Sequence, residues 1–165
     1  MRYYFFVIVS VLLLDAIWIT ANQQMYKIMY SGVQKSPMQV NIPAAVIAYI
    51  FIFVIITFIS IPWAAKSSRK TLATAIKTSG LLGLCVYGIY NFTNLALFAN
   101  YSWLVAIIDT LWGATLFTII TYAYFFFSES LKLLHIWPSF LPMSEIDALF
   151  MPATTAALFF FTKFI

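Results

Sequence analysis

The sequence predicts an all-α fold, a polytopic transmembrane helix bundle of four spanning helices plus a C-terminal membrane-associated helix or short fifth span. Three observations predict it. Of 165 residues, 64% are hydrophobic and 8% charged, against about 25% charged in a soluble domain. The apolar residues gather into four runs, each long enough for a helix to cross a hydrocarbon core about 30 Å thick. The basic residues mostly stand beside these runs rather than within them. We expect two regions, a four-helix transmembrane domain over 1–127 and an amphipathic and apolar segment over 128–165.

The first run covers 4–21. Arg2 followed by an apolar stretch resembles a secretory signal, but Asp15 and Trp18 inside it argue for retention. The second run covers 42–63, with Pro43 in its first turn and Pro62 near its end, and both prolines read as boundaries. The third covers 79–99 and carries one small-then-polar stripe, Gly80, Gly83, Tyr87, Tyr90, Asn91 and Asn94, at helical spacing. The fourth covers 103–127, with Asp109, Trp112, Gly113 and Leu116 on one face. Beyond it, "SESLKLLHIW" suits a surface helix and "PSFLP" breaks it. Ser144 with Asp147 then resembles a capping box before the apolar stretch 148–162. That stretch covers only about 22 Å as a helix, short of a comfortable span.

Lys66, Arg69, Lys70 and Lys77 lie between the second and third runs, where the positive-inside rule expects the cytoplasm. Alternation then puts the N-terminus inside as well. The net charge of +4 forms no long patch, so a nucleic-acid partner is not expected. A lone Cys85 allows no internal disulfide, and one His with one Cys cannot build a zinc site. No metal and no cofactor is expected. The phenylalanines at 125–127 and 159–161 read as lipid-facing, and His135 and Trp137 as interfacial anchors.

The first and fourth runs share the pattern D-x-x-W, as Asp15 with Trp18 and Asp109 with Trp112. Successive helices alternate in direction, so both acids, with Asn91 and Asn94, fall in the same half of the bilayer. Antiparallel copies of one pattern are what an inverted repeat would produce. An ionised Asp near mid-bilayer costs about 2.5–3.5 kcal/mol, while a membrane hydrogen bond returns about 0.6–2 kcal/mol. No Lys or Arg lies in the middle of a run to neutralise either acid. Protonation, a shared proton or a bound cation remain. The candidate polar site is Asp15, Trp18, Tyr87, Tyr90, Asn91, Asn94, Asp109 and Trp112. Gly80, Gly83, Gly88 and Gly113 are the expected helix-packing positions.

"LDAIW" in the first run, "GLCVYGIYNFTNLAL" in the third and "IIDTLWG" in the fourth resemble the signature of the domain of unknown function 2177 family of small four-helix membrane proteins. The resemblance extends over about 1–127. It implies a membrane-embedded helical fold and no established activity. Members of that family commonly carry Asp where this chain has Asn91, which removes one intramembrane charge here.

Three functional readings follow. In the first, Asp15 and Asp109 serve proton- or cation-coupled handling of a small solute, with a homodimer expected because four helices enclose little. In the second, the site binds or transforms a lipid or isoprenoid. No nucleophile–base pair or phosphate-cradling loop is recognisable, so an enzyme is the less favoured reading and catalytic residues stay unassigned. In the third, the network only holds the bundle together. The expected partners are the bilayer and a proton, small cation or lipid.

Overall fold

The first run folds as α1, Arg2–Ala21. Val7, Val11 and Asp15 follow one another at four-residue spacing and are all buried, while Leu12, Leu13 and Ile17 face outward. That is the single inward stripe of a helix touched on one side. The computed structural model describes residues 2–133, and the expectations for the tail beyond Leu133 lie outside the described residues.

A turn at Asn22 leads into α2, Gln23–Gln34, bent by 76° from the helix before it. This helix is absent from the four-run reading, which treats the segment as a loop. Its period is nonetheless legible. Tyr26 and Met29 are buried, with Tyr30 and Val33 packed beside them, while Gln23, Gln24 and Lys27 are exposed. The helix ends at Lys35, whose φ of 54° is the left-handed cap that glycine more often supplies.

The second run becomes α3, Ile42–Ala65. The Asn41 side chain accepts from the Ala44 N–H at 3.1 Å, and Pro43 sits in the first turn, where its missing N–H is no loss. Ile42–Ile55 buries no residue completely, though Tyr49, Ile52, Phe53 and Ile55 pack in part on the core. A π-helical turn over Ile56–Ser60 then brings Ile56, Thr57, Ser60, Ile61 and Ala64 inward. One extra residue in the turn shifts the inward register by one position, so Thr57, Ser60, Ile61 and Ala64 continue the face begun by Tyr49, Ile52 and Phe53. Pro62 lies inside this helix and is not the boundary expected. It has no N–H for the preceding turn, and the widened turn before it accommodates that loss.

The third run starts earlier than expected, as α4, Leu72–Leu97, because Thr71 caps it by accepting from the Thr74 N–H at 3.3 Å. The added turns include a second π-helical stretch, Ile76–Gly80, which packs on the first. Lys77 therefore belongs to the helix. The fourth run is α5, Trp103–Leu133. Its buried residues Val105, Ala106, Thr110, Leu116, Phe117, Ile120, Thr121 and Phe125 follow the helical period. Phe125 is thus a core residue and not lipid-facing, while Phe126 and Phe127 are exposed as expected.

α5 is the hub. One apolar cluster joins Val7 and Val11 of α1, Ile56 and Ile61 of α3, and Leu116, Phe117 and Ile120 of α5. A second joins Tyr26 and Met29 of α2 to Tyr101, Val105 and Ala106. The candidate site lies between them along α5. α3, α4 and α5 are each long and apolar enough to cross a membrane, and the bent pair α1 and α2 makes a fourth when counted as one span. By contact the chain separates into Met1–Phe127 and Ser128–Ile165.

Candidate functional site

Asp15 occupies the inward stripe of α1 and accepts a hydrogen bond from the Trp112 indole N–H of α5 at 2.7 Å. Tyr49 of α3 faces the same carboxyl. Trp18, one turn after Asp15, lies flat against Trp112, with ring centroids 4.5 Å apart and planes within 1°. The two D-x-x-W stretches therefore meet by their indoles.

Asp109 of α5 is held from two sides. The Tyr26 hydroxyl of α2 donates to one carboxylate oxygen at 2.6 Å, and the Asn91 amide of α4 donates to the other at 2.8 Å. Tyr26 in turn accepts from the Trp18 indole at 2.9 Å. Asn91 also donates to the Tyr87 carbonyl at 3.0 Å and accepts from the Tyr101 hydroxyl at 2.8 Å. These bonds fix which way the Asn91 amide points, since only its nitrogen can serve Asp109. An Asp at position 91 would have to carry a proton to make the same bond.

The exchange between the two stretches is unequal. Trp112 reaches Asp15 directly, whereas Trp18 reaches Asp109 through Tyr26. Every donor to either acid is uncharged, and no basic side chain pairs with them among the described residues.

The structure brings Asp15, Trp18, Asn91, Asp109 and Trp112 into one connected network. Tyr87 forms its wall, packed on Gly113 and edge-on to Phe117 at 6.4 Å. Tyr90 and Asn94 do not reach the acids. Tyr90 is exposed and meets the Tyr30 hydroxyl at 3.2 Å, and Asn94 faces Tyr101. Burial pushes Tyr101, in the turn between α4 and α5, up to about 12. Sequence reasoning missed Tyr26, Tyr30, Tyr49 and Tyr101. The spacing of Tyr26, Met29, Tyr30 and Val33 was the available signal for the first two.

The glycines set how closely α4 and α5 approach. A Cβ on Gly83 would run into the Gly113 carbonyl, and one on Gly113 would run into the Tyr87 ring. At Gly80 it would stand 2.6 Å from the Thr118 hydroxyl, while at Gly88 it would meet only the Thr110 methyl at an ordinary 3.5 Å.

Apolar spanning helices around a network of two acids define a polytopic helical membrane protein with a polar interior. The chain belongs to the family described as Predicted membrane protein (DUF2177), which it matches over residues 1–126. No curated protein and no solved structure matches it.

Proposed function

We propose that Asp15 and Asp109 form a proton- or small-cation-binding site, and that the protein handles that ion as a carrier or part of one. One observation carries the reading: among the described residues, the two acids of this apolar bundle are held by neutral donors alone. Ionising each costs about 2.5–3.5 kcal/mol near mid-bilayer, and two neutral hydrogen bonds of about 0.6–2 kcal/mol apiece offset much of that cost while leaving the negative charge itself unbalanced. A proton or a cation supplies the missing charge.

The groove between α4 and α5 and the cleft at Gln34–Asn41 border neither acid. Access from the α2 side requires Tyr26 to leave Asp109, so α2 is the gate in this reading. Coupling to a small solute would use the space that α2 vacates.

The test is thermal unfolding of the detergent-purified protein across pH and a panel of alkali and divalent cations, beside Asp15→Asn and Asp109→Asn. A ligand at one hundred times its dissociation constant adds about 2.7 kcal/mol. The expected result is a shift in the wild type that both variants lose. A wild type indifferent to pH and cations, with variants merely less stable, would leave the network a structural one.

A further inference from the structure

A groove of about 620 Å³ runs between α4 and α5, away from the two acids. It lies open along the bundle, since its rims Leu81 and Ile119 are 50% and 42% exposed. Gly80 and Ala114 leave the space that makes it, and Leu84 lines its far part. Its two hydroxyls are already spent. Thr115 donates to the Leu111 carbonyl and Thr118 to the Ala114 carbonyl, each at 2.8 Å. Both protons are committed to the helix's own carbonyls, so Lys77 is the one side-chain donor lining the groove that is not so engaged.

Lys77 lines one end. It is exposed, and no carboxylate pairs with it among the described residues. From Lys77 to Leu84 the groove runs two turns of helix, about 11 Å. A mainly apolar slot whose hydroxyl protons are committed, with a single cation at its mouth, complements an acyl chain attached to a phosphate. Lys66, Arg69 and Lys70, in and beside the segment leading into α4, add positive potential at the same end.

We propose that the α4–α5 groove binds an anionic phospholipid of the leaflet on the side of residues 66–71. One acyl chain lies along Gly80, Leu84, Ala114 and Thr118, and the phosphate rests on Lys77. The site is independent of the Asp15–Asp109 network.

The purified protein is offered phosphatidylglycerol and phosphatidylcholine in equal amounts, and the lipid retained is counted by native mass spectrometry. Phosphatidylglycerol is expected to be retained about five-fold over phosphatidylcholine, the worth of one basic contact near an anionic surface. Lys77→Gln should abolish that preference, while replacing Lys66, Arg69 and Lys70 together by Gln keeps most of it. Ala114→Leu, or Thr115→Phe at the exposed rim should the first fail to fold, should lose both lipids. Equal retention of the two lipids by the wild type overturns the proposal. So does a preference that survives Lys77→Gln or vanishes with the three upstream charges, which would mark a diffuse basic collar. Displacement by glycerol phosphate alone would make Lys77 an anion site without an acyl groove and would equally overturn it.

Discussion

Trp18 and Trp112 lie face to face, 4.5 Å apart and within 1° of parallel; the Trp112 indole N–H reaches Asp15 on Trp18's helix, while the Trp18 N–H reaches Tyr26 of α2. Stacking places the two nitrogens where Asp15 and Tyr26 need donors. Two parallel indoles in contact are also expected to couple optically. Trp18→Phe or Trp112→Phe should each remove the resulting far-ultraviolet circular-dichroism couplet. A double-mutant cycle should give a coupling of about 0.5–1.5 kcal/mol, the usual worth of an aromatic pair. Additive losses with the couplet intact would refute the pairing.

Asp109 serves two donors at once, Tyr26 and Asn91. Asp109→Asn keeps one acceptor oxygen and should cost about 1 kcal/mol, whereas Asp109→Leu orphans both donors and should cost about 2–4 kcal/mol. Unfolding in mixed micelles measures both. Equal losses would mean that the two bonds contribute nothing separable.

α2 is tied to the bundle by the Tyr26 bond to Asp109, the Tyr30–Tyr90 contact and the Asn100 amide on the Gly32 carbonyl. Tyr26→Phe removes the bond with the most buried partners. Hydrogen exchange over 23–34 should quicken by about three- to ten-fold, the equivalent of roughly 1 kcal/mol of lost anchoring. Exchange in α1 should stay as it is, since its ladder does not depend on Tyr26. Uniform acceleration through both helices would remove the basis for treating α2 as a gate.

Gly83 and Gly88 stand five residues apart on α4, yet substitution should treat them oppositely. Gly83→Ala sets a methyl against the Gly113 backbone, which has no side chain to yield. It should cost about 1–3 kcal/mol or more. Gly88→Ala meets only an ordinary contact and should be neutral or stabilising by up to about 1 kcal/mol through helix propensity. Melting curves of the two variants, run side by side, decide the matter.

Burial pushes the Tyr101 hydroxyl up to about 12, from 10.0 in the open chain. Between those two values the unfolded chain has lost its proton and the folded one keeps it. Its contribution is therefore complete below pH 10 and drains away as pH rises toward 12. Tyr101→Phe should make the alkaline decline of stability shallower while leaving the neutral range flat. An unchanged alkaline slope would show that the hydroxyl is not buried in solution.

Hydropathy alone determined that this chain is a helical membrane protein, where its apolar runs lie, and that Asp15, Trp18, Asn91, Asp109 and Trp112 share inward faces. Composition and a 3.6-residue period carry that information locally. The same period was present in 23–34, but its polar outer face reads equally as a loop between spans, so α2 and Tyr26 went unseen. Pro62 read as a stop because a proline inside a helix is costly unless a widened turn precedes it, and the neighbouring helix decides whether that turn forms. The bond from Trp112 to Asp15 joins residues 97 apart in sequence. A periodic pattern shows which way a side chain points, and only the packing of whole helices decides what it meets there.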